Sequence, residues 1–219
     1  MLVKIPQVLN PDQLQMLAST LETAEFVDGK TTAGWHAKTV KQNEQLTASA
    51  AKDLREVIKT ALQKNALFQA VARPRLIHTL LFSRYTAGMS YGRHVDNALM
   101  GQHKYRSDLS FTVFLNSPDQ YQGGELVIET VDDEQAYKLE AGSALVYPSS
   151  SLHRVDPVTE GIRLVAVGWV QSIVRDPHER EILFELDTAR RSLFTKHGKT
   201  DEFDILSKTL SNLLRKWSE

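Results

Sequence analysis

Between Arg75 and Val170 the chain is a series of short apolar runs cut by glycine and proline, with no helical spacing between them. Leu76 to Tyr85 is one run. Asp108 to Asn116 alternates and puts Leu109, Phe111, Val113 and Leu115 on one face, because successive side chains of a strand point to opposite sides. Gly123-Gly124 opens Glu125–Glu129. Ser143–Tyr147 follows a glycine and stops at Pro148, and Arg163–Val170 closes the series. Strands this short, separated by turns rather than helices, argue for an antiparallel double-sheet roll.

The flanks carry a different period. Asn10-Pro11-Asp12-Gln13 is a helix start, with Asn as N-cap, Pro at the first helical position and Gln placed to close a capping box. Leu14, Leu17, Ala18 and Leu21 follow at helical spacing, and Leu54, Val57, Ile58, Ala61 and Leu62 suggest a second helix. Between them, Thr32–His36 and Val40–Asn43 are polar and irregular, either a lip over a pocket or a mere connection. After the roll, Asp176-Pro177-His178-Glu179 repeats the start signal. Ile182, Leu183, Leu186, Ala189, Leu193 and Phe194 then share a face. Past Gly198, so do Phe203, Leu206, Leu210, Leu213, Leu214 and Trp217. The expected class is therefore α+β. A mostly helical segment over 1–75 packs on a jelly-roll core over 76–174, and a helical extension over 175–219 packs on the core or on a second copy.

Composition narrows the chemistry. Cysteine is absent, which removes disulfides, thiolate metal sites and cysteine nucleophiles. Hydrophobic residues make up 42% of the 219 and charged residues 24%, enough for a core and too little charge for long disorder. The formal net charge of −1 gives no field that favours nucleic acid or an anionic membrane. Met1–Pro6 has neither a basic start nor a long apolar run, and no stretch approaches a membrane span, so a cytoplasmic location is expected.

The chemistry concentrates at Arg93-His94-Val95-Asp96-Asn97, just after a glycine-rich turn. On extended backbone His94 and Asp96 point the same way and aim a ring nitrogen and a carboxylate oxygen at one place. A second histidine, His153, stands 57 residues beyond Asp96 (153 − 96), a distance that lets a facing strand of a roll return to the same cavity. Two histidines and one carboxylate on one face of a divalent iron leave open positions for oxygen chemistry. Ten residues further, Arg163 begins an otherwise apolar strand. A buried guanidinium there would need an anion, and a dicarboxylate chelating the metal at one end fits, with Tyr85 offering its hydroxyl to the other end. Asn97, Tyr91 and Arg93 either shape the entrance or serve the turn behind it.

Tyr85 to Asn97 resembles the first iron-binding segment of prolyl-hydroxylase-type 2-oxoglutarate dioxygenases. Gly142–Pro148 with His153 and Arg163 resembles the second. The whole chain, including Thr32-Ala33-Gly34, Val40-Lys41 and the helical tail, is similar to the bacterial PKHD-type hydroxylases. The resemblance implies a double-stranded β-helix, Fe(II) on His94, Asp96 and His153, and 2-oxoglutarate on Arg163. It also implies consumption of dioxygen, release of succinate and CO2, L-ascorbate (vitamin C) as reductant, and in some members a link to iron limitation. It does not choose between a small-molecule and a peptide substrate.

Two other readings compete. A cupin-like metal-binding or 2-oxoacid-sensing protein would hold the same ion without turnover, although a pure metal binder would not need Arg163. A structural module could use the tail to form a homo-oligomer. Gly29-Lys30-Thr31 and Gly198-Lys199-Thr200 lack the earlier glycine of a phosphate loop. His36, His78, His103, His178 and His197 have no ligand partners at useful spacing, and Ser149-Ser150-Ser151 reads as a loop.

Overall fold

The capping box at Asn10 forms as the sequence predicts. The Asn10 side chain accepts from Gln13 N, and Gln13 returns the bond to Asn10 N, both at 2.9 Å. The computed structural model describes residues 1–219. The N-terminal third runs β1 (Val3–Ile5), α1 (Pro11–Thr23), β2 (Phe26–Asp28), β3 (Lys41–Gln42), β4 (Glu44–Leu46), α2 (Lys52–Lys64) and α3 (Ala66–Ala72). The middle runs β5 (Pro74–Tyr85), β6 (Ser90–His94), β7 (Leu99–Met100), β8 (Tyr105–Arg106), β9 (Leu109–Phe114) and β10 (Tyr121–Gly123). It continues through β11 (Leu126–Glu129), β12 (Glu134–Tyr137), β13 (Ala144–Pro148), β14 (His153–Val155), β15 (Val158–Gly161) and β16 (Arg163–Ser172). Two long helices end the chain, α4 (Pro177–His197) and α5 (Asp201–Trp217).

Two antiparallel sheets make the roll. The major sheet has seven strands in the order β1-β13-β9-β16-β5-β4-β2, and the minor sheet has five in the order β12-β11-β14-β6-β3. Strand β9 explains their stacking. All six of its residues are buried because it is covered on both faces. Leu109, Phe111 and Val113 pack in a core with Leu17, Ile58, Leu62 and Phe68 of the N-terminal helices. Phe114 packs between the sheets with Tyr85, Leu126, Tyr147, Val155 and Val165. Ser110 and Thr112 face the cavity that the two sheets enclose.

The segment expected to be mostly helical also supplies four strands. Strand β1 closes one edge of the major sheet, β2 and β4 close the other, and β3 forms an edge of the minor sheet. These strands are two or three residues long, too short to show a period in sequence.

The tail covers its own chain. Val174, Leu183 and Leu210 form a small buried cluster, with Ile173, Leu186, Leu213, Leu214 and Trp217 against it. Asp176 caps α4 by accepting from His178 N and Glu179 N. Buried Arg180 donates to the carbonyls of Val174 and Arg175 at 2.7 and 2.8 Å, and Arg73 donates to the Leu183 carbonyl at 3.3 Å. No helix is long and apolar enough to cross a membrane.

Candidate metal centre

His94 is the last residue of β6 and His153 the first of β14. The two strands pair so that these residues face each other across the ladder. Their rings lie 4.3 Å apart between centroids. Each ring is held in the same way. The Nδ1 of His94 donates to the Gly92 carbonyl at 2.8 Å, and the Nδ1 of His153 donates to the Ser151 carbonyl at 3.0 Å. A carbonyl can only accept, so each Nδ1 carries the hydrogen and each Nε2 keeps its lone pair for the site. Burial, followed by the neighbouring His153, lowers His94 to about 4, so its ring stays neutral at neutral pH.

Asp96 lies in the turn just beyond β6 rather than on the strand itself. Its direction is set by a hydroxyl: Ser110 Oγ donates to Asp96 Oδ2 at 2.6 Å, and Ser110 also lies 2.8 Å from Ser149 Oγ. Asp96 Oδ2 is 3.8 Å from His153 Nε2, too far for a hydrogen bond. One ligand atom from each of His94, Asp96 and His153 falls within 4.8 Å of the others, a donor set that one divalent ion could join. Two imidazoles and one carboxylate are the donor types of facial non-haem iron sites.

Arg163 begins β16, directly across the ladder from Tyr85 at the end of β5. The Arg163 side chain points inward and is 1% exposed. Its guanidinium stands 5.0 Å from the Tyr85 ring and 5.7 Å from the Phe114 ring. Nε and one terminal nitrogen have no hydrogen-bond partner. Tyr85 is also buried. That burial pushes its hydroxyl pKa up, opposed by Arg163. Both residues line the same cavity of about 300 Å³ as the triad.

The N-terminal segment forms one wall of this cavity, with Thr32, Ala33, Gly34, Lys41 and Gln45 in it. The polar stretch is thus a lip. Its placement depends on a missing side chain. Strand β3 pairs with β6 so that Lys41 meets Tyr91, and Gly92 donates to the Val40 carbonyl at 2.9 Å. A Cβ on Gly92 would lie 2.7 Å from Val40 Cβ, so only glycine permits this approach. Tyr91 in turn stacks on His94, centroids 3.7 Å apart. Lys41, Ser110, Ser149 and Tyr147 are site residues that the sequence reading passed over. For Lys41 the only signal in the sequence is its place in the polar stretch Val40–Asn43, which does not say where its side chain goes.

Tyr91 and Asn97 line the cavity, but Arg93 does not. Its guanidinium binds Glu129 with two bonds, the one from Nη2 2.7 Å long, and is largely exposed. Adjacent residues of a strand point to opposite faces, and His94 has taken the inner one. His78 is a packing histidine, 3.3 Å from the Arg106 carbonyl.

The description "2OG-Fe(II) oxygenase superfamily" matches residues 80–171, and "PKHD-type hydroxylase C-terminal domain" matches residues 178–219. The chain is 63% identical over 220 residues to a PKHD-type hydroxylase of Gloeothece citriformis, covering 100% of both chains. It is 63% identical over 223 residues to one of Synechococcus elongatus, again covering 100% of both. Among solved structures it resembles a prolyl hydroxylase from Trichoplax adhaerens, with TM-score 0.56, 14% identity, and 83% of this chain and 86% of that chain covered. It also resembles a Pseudomonas putida prolyl-4-hydroxylase, with TM-score 0.53, 21% identity, and 78% and 92% covered. At these identities the two structures speak for the fold, while the full-length relatives carry the family. The chain belongs to the PKHD-type hydroxylases, 2-oxoglutarate-dependent dioxygenases of the 2OG-Fe(II) oxygenase superfamily.

Proposed function

We propose that His94, Asp96 and His153 bind Fe(II), that Arg163 and Tyr85 hold the distal carboxylate of 2-oxoglutarate, and that the chain hydroxylates a small-molecule or peptide substrate with release of succinate and CO2. The observation that carries this reading is the state of Arg163. A guanidinium 1% exposed, with two nitrogens unpartnered, is costly unless an anion completes it. It lies in the cavity that also holds two histidines and an aspartate with converging donor atoms.

The iron, when bound, supplies open coordination positions at which dioxygen and the keto acid react. The chain's own part is positional. The Gly92 and Ser151 carbonyls hold the imidazoles in the tautomer that ligates, and Ser110 fixes the Asp96 carboxylate. Arg163 orients the co-substrate along the cavity by its far end, where a planar fork can make two parallel bonds. Leu126, Tyr147, Val155 and Val167 line the cavity and limit water near the reacting atoms.

In this reading L-ascorbate keeps the iron ferrous, the protein works in the cytoplasm, and its activity is tied to iron homeostasis. The stretch 1–75 packs on the core and lends the cavity its lip between Thr32 and Gln45, 76–174 is the catalytic roll, and 175–219 is the helical extension. Ile182, Phe194 and Ile205 are exposed apolar side chains of the tail helices, the elements through which a homo-oligomer would form.

The test is succinate formation from 2-oxoglutarate with added Fe(II), ascorbate and a library of small molecules and peptides. Turnover that His94→Ala and Asp96→Ala abolish supports the reading. Tight binding of metal and 2-oxoglutarate without succinate from any candidate favours the sensor reading instead. Failure to bind either overturns both.

A further inference from the structure

The 2-oxoglutarate reading accounts for every charged side chain in the cavity but one. Of the residues that line it, only Lys41, Asp96 and Arg163 carry a full charge when the histidines are neutral ligands. A ferrous ion, the Asp96 carboxylate, the Arg163 guanidinium and the co-substrate dianion balance to zero. Lys41 is left over with one positive charge.

Its surroundings provide no anion in contact, since the carboxylates of Asp96 and Asp28 act on it only from a distance. Lys41 is 4% exposed, its ammonium forms no salt bridge within 4.0 Å, and its one hydrogen bond goes to Thr32 Oγ1 at 3.0 Å. That hydroxyl donates onward to Gln45 Oε1 at 2.6 Å, so it is fixed in place. The ammonium also stands 5.2 Å from the centre of the Tyr91 ring, and that ring stacks on His94. A cation with three donors, only one of them used, is thus held a single ring away from the metal-facing histidine. It lies on the edge strand of the minor sheet, whereas Arg163 lies on an inner strand of the major sheet. The two cations therefore stand on different walls.

We propose that Lys41 is the anchor for a carboxylate of the molecule being hydroxylated, so that the substrate class is a small monocarboxylate or a peptide ending in a free carboxylate beside the attacked carbon. This inference rests on the proposed roles of the triad and Arg163. A carboxylate matches the surplus of one charge, while a phosphate monoester brings nearly two. A buried ammonium meeting one carboxylate through its two spare donors gains charge-assisted hydrogen bonds with little further desolvation, since it is already out of water.

The experiment uses the full chain with Mn(II) in place of iron, 2-oxoglutarate in excess and oxygen excluded. Acetate and acetamide, equal in shape and different in charge, are the probes. Enhancement of their methyl relaxation by Mn(II) reports binding beside the metal. The expected result is saturable enhancement for acetate and none for acetamide, an acetate Kd weakened about tenfold or more in Lys41→Met, and substantial recovery in Lys41→Arg. Mn(II) and 2-oxoglutarate affinities measured on the same samples should change by less than about twofold, since Lys41 contacts neither in this scheme. Acetate binding indifferent to Lys41, or acid and amide behaving alike, overturns the proposal and leaves the metal and co-substrate reading standing. Loss of 2-oxoglutarate binding in Lys41→Met assigns the lysine to the co-substrate and overturns it as well. If the unaltered chain binds neither Mn(II) nor 2-oxoglutarate, both readings fall together.

Discussion

Ser110 Oγ and Asp96 Oδ2 are 2.6 Å apart, and this bond alone ties the carboxylate of a turn residue to the central strands of the major sheet. Ser110→Ala frees the carboxylate to rotate. We expect Mn(II) affinity, followed by paramagnetic resonance titration, to fall about tenfold or more, with the secondary structure unchanged by circular dichroism. An unchanged affinity would show that Asp96 needs no such support.

Arg163→Met separates two effects. It removes a buried charge whose partner is absent from the free protein, so the melting temperature without ligand should hold or rise. The same change should raise the Kd for 2-oxoglutarate by about tenfold to a hundredfold, measured by calorimetry with Mn(II) present. Retained affinity would remove Arg163 from the co-substrate site.

The metal-free protein should lose stability in mild acid. His94 is held at about 4 by burial and by His153, against 6.5 for a free imidazole. Between those values the unfolded chain binds a proton that the folded chain refuses, so stability falls as pH drops through the window, by up to roughly 3 kcal/mol. Urea titrations at several pH values check this. His94→Gln should flatten the slope there, and an unaltered slope would place the titrating group elsewhere.

The tail is expected to be structural to its own chain. Leu183 is fully buried under α5 beside Val174 and Leu210. Leu183→Ala should cost about 2–4 kcal/mol in denaturant unfolding. A cost near zero would mean that the helical pair does not cover the core in solution.

What could be read from the sequence was what repeats or what lies close along it. The long strands from Leu76 to Val170 and the caps at Asn10 and Asp176 have local signatures, and all of them form. His94 and Asp96 could be paired because only Val95 separates them. The reason given, a shared strand face, fails for Asp96, which stands beyond the strand and is aimed by Ser110. Lys41 could not be placed at all from local pattern. Its strand is two residues long, and its position comes from pairing with Tyr91 and from the space left at Gly92, both far along the chain. Thr79 was equally hidden. It holds φ 47° where β5 gains a residue against β16, a bulge that only the partner strand reveals.

Strand β3 sits at the margin of its sheet, with a neighbour on one side only, whereas the histidine strands β6 and β14 are each flanked on both sides. Marginal strands tolerate replacement better than inner ones, because fewer ladder bonds depend on them. If Lys41 anchors the substrate as proposed, the selecting residue and the ligand His94 sit on adjacent strands, because β3 is itself one of the two neighbours of β6. Replacing the Lys41 side chain alone would then change which molecule is held, while the pairing of β3 with β6 that supports His94 stays in place.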